Sequence, residues 1–383
     1  MNITYLLGAG ASAKWLPVLN EMPDYMMAFS DYINEIYTNE TNLTLVNQST
    51  LEQIRVQLKK EPRWLVEEFS KNLKQLAKES IEFGTVDTYI KYLQLKNSKT
   101  LHSKYVSTFS TFLTLFQLGV GKQFLTLNYG KDNKINKSII EKSINRKKGF
   151  DDRYQKFILS LLKYDLNSFP ENVKVLTWNY DFQFELAYSK LLEKNNPFEL
   201  NNIQINSKIS RFNPEHVKDR FSITKLNGTG RIYLNNGNGE FLNYDNQLKL
   251  EDNELDVYHL LLQAFNSEFN GHHNDLLFSW YNGNDLQEVN SNKFMLDIKK
   301  IISNTEILVV IGYSFPFFNR LVDKYLFDSM PNLYKLYVQD RTPNLIKEKI
   351  RLLVDEGKYK DLLNNNIEVN DDYNGMFVLP YEL

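Results

Sequence analysis

Four short stretches carry residue types suited to holding a phosphorylated ligand: Gly8-Ala9-Gly10-Ala11-Ser12, Asn179-Tyr180-Asp181, Asn227-Gly228 and Gly312-Tyr313-Ser314. Each follows an apolar run that reads as a buried strand, so each reads as a strand tip. Glycines at 8 and 10 let backbone approach a pyrophosphate closely, and a helix start beyond them offers unpaired N–H donors. The pair departs from the GxGxxG pattern, because Ala13 stands at the third glycine position. A tight turn without a ligand is the competing reading. The amide of Asn179 can hydrogen-bond a sugar or an attacking water without being titrated. Asp181 can orient polar neighbours or stabilise developing positive charge. The plainer account of both is a turn followed by a helix cap, since Asp181 precedes the helix-like Phe182–Leu186. Ser12 suits a phosphate oxygen and a helix cap equally. Ser314 is better placed, beside Gly312 and after the most apolar run. At a further strand tip, Asp340 or Gln339 can reach a ribose hydroxyl, as acids at such positions do in dinucleotide folds. The histidines add no pattern: His272 and His273 are adjacent in a polar stretch, which does not suit a metal pair, while His102, His216 and His259 are isolated.

The elements that must position these residues alternate between strand and helix. Strands are predicted over Ile3–Leu7, Val173–Thr177, Phe221–Leu226, Ile307–Ile311 and Leu333–Val338, with helices after Asp181, Phe318 and Thr342-Pro343. That alternation predicts an α/β fold: a Rossmann-like parallel sheet covered by helices on both faces. In such a sheet, ligands sit at the carboxyl ends of the strands, where the four polar tips converge. Residues 1–25 and 170–383 are assigned to the sheet domain and 26–169 to a mainly helical insertion, a regulatory domain. Within the insertion, helices are predicted from near Asp24, over Leu51–Ala77, over Thr85–Leu95 with Thr85 or Asp87 as cap, over Leu101–Leu118 and over Tyr154–Leu162. The basic stretch Lys131–Lys148 reads as a solvated loop, with nucleic-acid contact as the weaker alternative.

Composition bounds the function. A net charge of −2 gives no global basic field to recruit nucleic acid. The chain has no cysteine, which excludes disulfides, a thiol nucleophile and any cysteine-ligated zinc site. No apolar stretch reaches the roughly 20 residues a membrane helix needs, and the N-terminus lacks a signal-peptide pattern. A cytoplasmic location with no membrane association is the expectation.

Read together, the motifs resemble those of the sirtuins. Gly8-Ala9-Gly10-Ala11-Ser12 is similar to their glycine-alanine-glycine-x-serine opening, and Met22-Pro23-Asp24-Tyr25 to the Ile-Pro-Asp-Phe loop that folds over NAD. Thr177-Trp178-Asn179-Tyr180-Asp181 resembles their Thr-x-Asn-x-Asp, and Ile311-Gly312-Tyr313-Ser314 resembles the Gly-x-Ser that contacts the cofactor. Leu226-Asn227-Gly228 sits where the family usually has Leu-His-Gly. The closer likeness is to the sirtuin-like proteins of bacterial antiphage defence, through Leu16-Pro17 to Met22-Pro23 and Val86-Asp87-Thr88-Tyr89.

The resemblance implies NAD as substrate, hydrolysed to nicotinamide and ADP-ribose when infection is sensed. It implies catalytic roles for Asn179, Asn227 and Asp181. It implies cofactor contacts at Gly8, Ala9, Gly10, Ser12, Pro23, Asp24, Gly228, Gly312 and Ser314, beside which the strand-tip position offers Asp340 or Gln339 for the adenosine ribose. It further implies a homo-oligomer or a partner, such as a HerA-type ring ATPase, to restrain the activity. No zinc is expected, and the lack of cysteine argues against a zinc-ribbon deacylase. Asn227 is the main departure, because Asn has no proton to exchange where the family uses His as a base. Three readings follow: a natural variant relying on positioning, an inactivated version of the chain, or a protein that binds NAD without cleaving it. The last makes the chain a module that senses NAD or ADP-ribose and signals through assembly.

Overall fold

The computed structural model describes residues 1–38, 48–117, 150–194, 200, 203–208, 221–232, 234–235, 241–242, 257–258, 260–262, 265, 274–283 and 285–383. Seven strands form one all-parallel sheet: β1 (Ile3–Leu7), β2 (Val173–Thr177), β3 (Gln204–Ser207), β4 (Ser222–Lys225), β5 (Ile307–Ile311), β6 (Lys335–Gln339) and β7 (Ile367–Asn370). Their spatial order is β7-β6-β5-β1-β2-β4-β3. The chain therefore places β2, β3 and β4 on one side of β1, with β4 inserted between β2 and the edge strand β3, then returns across β1 and builds outward on the other. Such a reversal opens a crevice at the strand ends, here at β1.

The central strands are fully buried because their sequences are apolar at nearly every position, as strands covered on both faces require. Alternate residues serve opposite faces. Ile3, Tyr5, Leu7, Val175 and Val309 pack with Phe29, Phe112, Tyr154 and Phe157 from the helical segment. Leu6, Leu176, Leu308, Val310 and Leu336 pack with Ile298, Leu326 and Ile350 on the other face. Each large apolar side chain so buried contributes about 1.5–3 kcal/mol before entropy is counted.

The register makes the strand ends level. Leu7 lies opposite Thr177 on one side and Ile311 on the other, Thr177 opposite Lys225, and Ile311 opposite Gln339. Gly8, Trp178, Leu226, Gly312 and Asp340 thus leave the sheet side by side.

The helical segment comprises Met22–Tyr37, Gln48–Leu58, Pro62–Glu82, Val86–Leu95, Lys99–Gln117 and Asp152–Leu161. The periodic stretch Leu51–Ala77 divides where Lys59 takes φ 51° and Pro62 opens a new helix, since proline suits a first turn and not an interior. Thr85 is the cap of its helix, accepting from the Thr88 N–H at 3.1 Å. Two edge strands escape the pattern reading. Gln204–Ser207 has one apolar residue and Ile367–Asn370 two, so neither edge strand stands out as an apolar run. A small antiparallel pair, Gly228–Ile232 with Asn274–Leu276, follows β4. No described helix is long and apolar enough to cross a membrane. Lys131–Lys148, His216, His259, His272 and His273 lie outside the described residues.

Candidate active site

A cavity of about 360 Å³ opens at the level strand ends, a volume in the range that encloses a small ligand. Ala9, Ser12, Asn179, Asp181, Asn227, Gly312 and Ser314 all line it, so three of the four polar tips and Asn227 of the fourth meet there. Leu16, Met22, Leu113 and Trp178 supply apolar wall. Pro23 and Asp24 sit in the first turn of the Met22–Tyr37 helix, and their neighbour Met22 is the one that reaches the cavity. Gly228 takes φ 66° and starts the small antiparallel pair beside the cavity. Asp340 is elsewhere: its Oδ1 accepts from the Thr342 N–H at 2.9 Å and the Thr342 hydroxyl at 3.2 Å, at the head of the Pro343–Leu353 helix. The Gln339 amide is likewise tied to backbone, donating to the carbonyls of Asp372 and Met376 and accepting from Val378.

The glycines serve first to pack backbone on backbone. After β1 the chain makes a short 3-10 turn, Ala9–Ser12, rather than a long helix. The Gly10 N–H donates to the Gly312 carbonyl at 2.9 Å and the Ala11 N–H to the Gly8 carbonyl at 2.8 Å. Those two donors are therefore already taken, which differs from the open donors expected of a helix start. Side chains at Gly8 or Gly10 would collide with Gly312 and Tyr313. Gly312 itself has φ 59°, and a Cβ there would strike the backbone of Gly10 and Ala11. Gly312→Ala is expected to destabilise the protein by at least the 1–3 kcal/mol of a strained backbone, on the order of several degrees in thermal unfolding. An unchanged melting temperature would contradict this packing.

Ser12 is the hub of the polar network. Its Oγ lies 2.8 Å from the Tyr154 hydroxyl and 3.4 Å from Asn179 Nδ2, which donates to it, and it favours the charged form of the nearby Asp181 carboxyl. A hydroxyl has one proton and two lone pairs. Between Ser12 and Tyr154 either hydroxyl can be the donor. Asn179 is further held through its N–H, donating to Thr177 Oγ1 at 3.0 Å. Asp181 accepts from the Gln183 N–H at 3.1 Å, so it stabilises the start of the Gln183–Leu191 helix and lines the cavity at once. Burial raises its carboxyl above the usual range, while Lys225 and Ser12 oppose that shift. Lys225 is itself buried, paired with Glu185 at 2.8 Å and donating to the Asp181 carbonyl at 2.7 Å. Burial, with Asp181 nearby, pushes the Tyr154 hydroxyl well above its ordinary value.

Asn227 is fixed on one side and open on the other. Its Nδ2 donates to the Trp178 carbonyl at 3.1 Å, and its buried Oδ1 has no partner. An unpaired buried acceptor is costly, about 1–3 kcal/mol, unless a ligand or water donates to it. Behind it, Trp178 stacks on Tyr313 with ring centroids 5.9 Å apart. Both donate to Asp323, whose carboxyl burial raises well above the usual range despite those bonds. Ser314 is positioned by Lys349, which donates to its carbonyl at 2.7 Å.

The helical segment contributes further polar groups. Thr85, Asp87 and Thr88 line the cavity from the Val86–Leu95 helix and its cap. The motif Val86-Asp87-Thr88-Tyr89 stood out in the sequence only by resemblance, with Asp87 as a cap candidate, and nothing in spacing showed it facing the sheet tips. Arg153 is buried, pairs with Asp151 at 2.6 Å and donates to the Ala11 carbonyl at 2.8 Å, fixing the loop after β1. His102 lies in the Lys99–Gln117 helix with its Nε2 2.8 Å from the Tyr281 hydroxyl. Among the described residues no group of three His, Asp or Glu is arranged to hold a metal.

Fold and site together define a Rossmann-like α/β protein with a cavity at the topological switch point. Comparison with protein-family models gives no match. Comparison with curated proteins gives no match either.

Proposed function

We propose that the chain is an NAD glycohydrolase, cleaving NAD to nicotinamide and ADP-ribose. The observation that carries the reading is the meeting of Ser12, Asn179, Asp181 and Asn227 in one cavity beside β1. Nicotinamide leaves ribose as a neutral ring from a cationic one, so departure needs little protonation. The protein must instead orient the sugar, stabilise an oxocarbenium-like centre and place water. Asn179 is held at both backbone and side chain, which leaves its amide oxygen to accept from a ribose hydroxyl or the attacking water. Asp181 supplies negative charge near the developing cation. The unpartnered Asn227 Oδ1 suits a second ribose hydroxyl.

The likeness of the motifs to sirtuin-like defence proteins supports the wider setting: NAD depletion during infection, in the cytoplasm, restrained by self-assembly or by a partner such as a HerA-type ring ATPase. Segment 26–169 is the proposed regulatory part, since its helices border the cavity through Asp87 and Leu113.

A second reading is favoured by Asn227 alone, a site that binds NAD or ADP-ribose as a signal. Nicotinamide release, measured beside NAD calorimetry, separates the two. As a hydrolase, the chain itself releases nicotinamide, and Asn227→His modulates that rate. As a sensor, it binds NAD without release, and Asn227→His switches release on by the ~10²–10⁴ that a general base contributes.

A further inference from the structure

Asn227 leaves the hydrolase reading without a titratable group at the position where the likeness places a base. A carboxylate also lines the cavity. Asp87 enters the cavity lining from the Val86–Leu95 helix, in the second residue of that helix. Its Oδ2 accepts from the Tyr180 hydroxyl at 3.0 Å, and Tyr180 lies between Asn179 and Asp181 in the β2 tip. Its Oδ1 is buried and has no partner, although the residue as a whole is only half-buried. A structural carboxylate in such a place normally has a cation or several N–H donors. Here a single neutral hydroxyl holds one oxygen and the other is left unused.

We propose that Asp87 is the general base of this site, taking the proton of the water that attacks C1′ of the nicotinamide-bearing ribose. The inference rests on the hydrolase reading. The step balances: the water oxygen forms a bond to C1′, and the C1′–N bond breaks with its electron pair passing to the pyridinium nitrogen. Nicotinamide leaves neutral, and the water proton goes to the Asp87 carboxylate and then to solvent. Tyr180 fixes the carboxylate through Oδ2 and so acts as a positioning residue.

The charged and titratable neighbours are otherwise engaged. From the β2 tip, Asp181 accepts from the Gln183 N–H at 3.1 Å. From the Lys99–Gln117 helix, Lys104 pairs with Glu68 at 3.3 Å, Tyr105 interacts with Tyr89, and His102 bonds Tyr281. From the Pro62–Glu82 helix, Glu79 bears on Tyr89 and Tyr105. On the same helix as Asp87, Lys91 lies over the Trp280 ring at 5.1 Å. Burial raises the Asp87 carboxyl from 3.8 to about 6, against the opposing Tyr180 bond. A base with that value is ionised at neutral pH and still accepts a proton readily.

The sign for stability follows from the same shift. The folded state holds the proton more tightly than the unfolded chain, so the contribution is complete below about pH 4 and lost as pH rises through 6. Asp87 therefore weakens the fold at neutral pH, as functional groups often do.

The test compares the full chain with Asp87→Asn, which keeps an acceptor for Tyr180. Nicotinamide release, NAD calorimetry and thermal unfolding are recorded from pH 5 to 8.5. The parent is expected to lose activity as pH falls through about 6. Asp87→Asn is expected to lower kcat by about 10²–10⁴ with NAD affinity unchanged. Its residual rate should lack that acid limb, and it should melt higher than the parent at pH 8. A variant that cleaves at the parental rate overturns the proposal and leaves the hydrolase reading standing. So does loss of NAD binding, which makes Asp87 a binding group. A parent that binds NAD without releasing nicotinamide removes both the base and the hydrolase, whereas the NAD site survives.

Discussion

Asn179→Ala is expected to lower nicotinamide release by about 10²–10³ while leaving the protein folded. The size is that of removing one preorganised hydrogen-bonding group aimed at a reacting centre. Folding should be spared because the backbone of residue 179 keeps its own bond to Thr177 Oγ1, and the Ser12 hydroxyl keeps Tyr154. Loss of the Asn179–Ser12 contact, at 3.4 Å, costs at most about 1 kcal/mol. The two readouts together decide the matter. A large loss of rate with little change in melting temperature assigns Asn179 to the reaction. Equal rates would mean that Asn179 is a turn residue only, as its residue type alone allows.

Arg153→Met is expected to destabilise the protein by about 3–5 kcal/mol, the range for breaking a buried ion pair from one side. The Arg153 and Asp151 side chains are 3% and 0% exposed, so the remaining carboxylate would have little access to water. The guanidinium also donates to the carbonyls of Ala11 at 2.8 Å and Tyr373 at 2.7 Å, which would lose a partner together. Replacing both members, Arg153→Met with Asp151→Leu, should recover part of the loss, because a buried apolar pair avoids the stranded charge. It should not recover all of it, since Asp151 also caps the Asp152–Leu161 helix through the Arg153 N–H at 3.0 Å. Chemical denaturation of both variants checks this, and a single variant as stable as the parent would contradict it. Because Arg153 fixes the loop that carries Ser12, the single variant should also bind NAD more weakly.

The sheet core was legible because strands buried on two faces are apolar at most positions, and Ile3–Leu7, Val173–Thr177 and Ile307–Ile311 are predicted at their observed bounds. The convergence of Ser12, Asn179, Asp181, Asn227, Gly312 and Ser314 followed from it, since tips of parallel strands share one edge. Long-range packing was not legible. Gly8 and Gly10 read as an approach to pyrophosphate, but the partner is the Gly312 backbone, about 300 residues away in sequence and brought near by β1–β5 pairing. Asp340 read as a ribose ligand from its place after a strand, yet a threonine two residues on satisfies its carboxylate locally. Asp87 carries no signal of its own in a helix whose spacing shows only Val86, Tyr89, Ile90 and Leu93 turned inward. Which side of the sheet that helix meets is settled by tertiary packing. The edge strands were missed for the opposite reason, being too polar to stand out.

The central claim is that the cavity beside β1 binds NAD and cleaves it. Product analysis of NAD incubated with the purified chain tests it most directly. Nicotinamide and ADP-ribose in equal amounts, over many turnovers per chain, are the predicted result. Recovery of intact NAD, with no heat of binding in calorimetry, would contradict it.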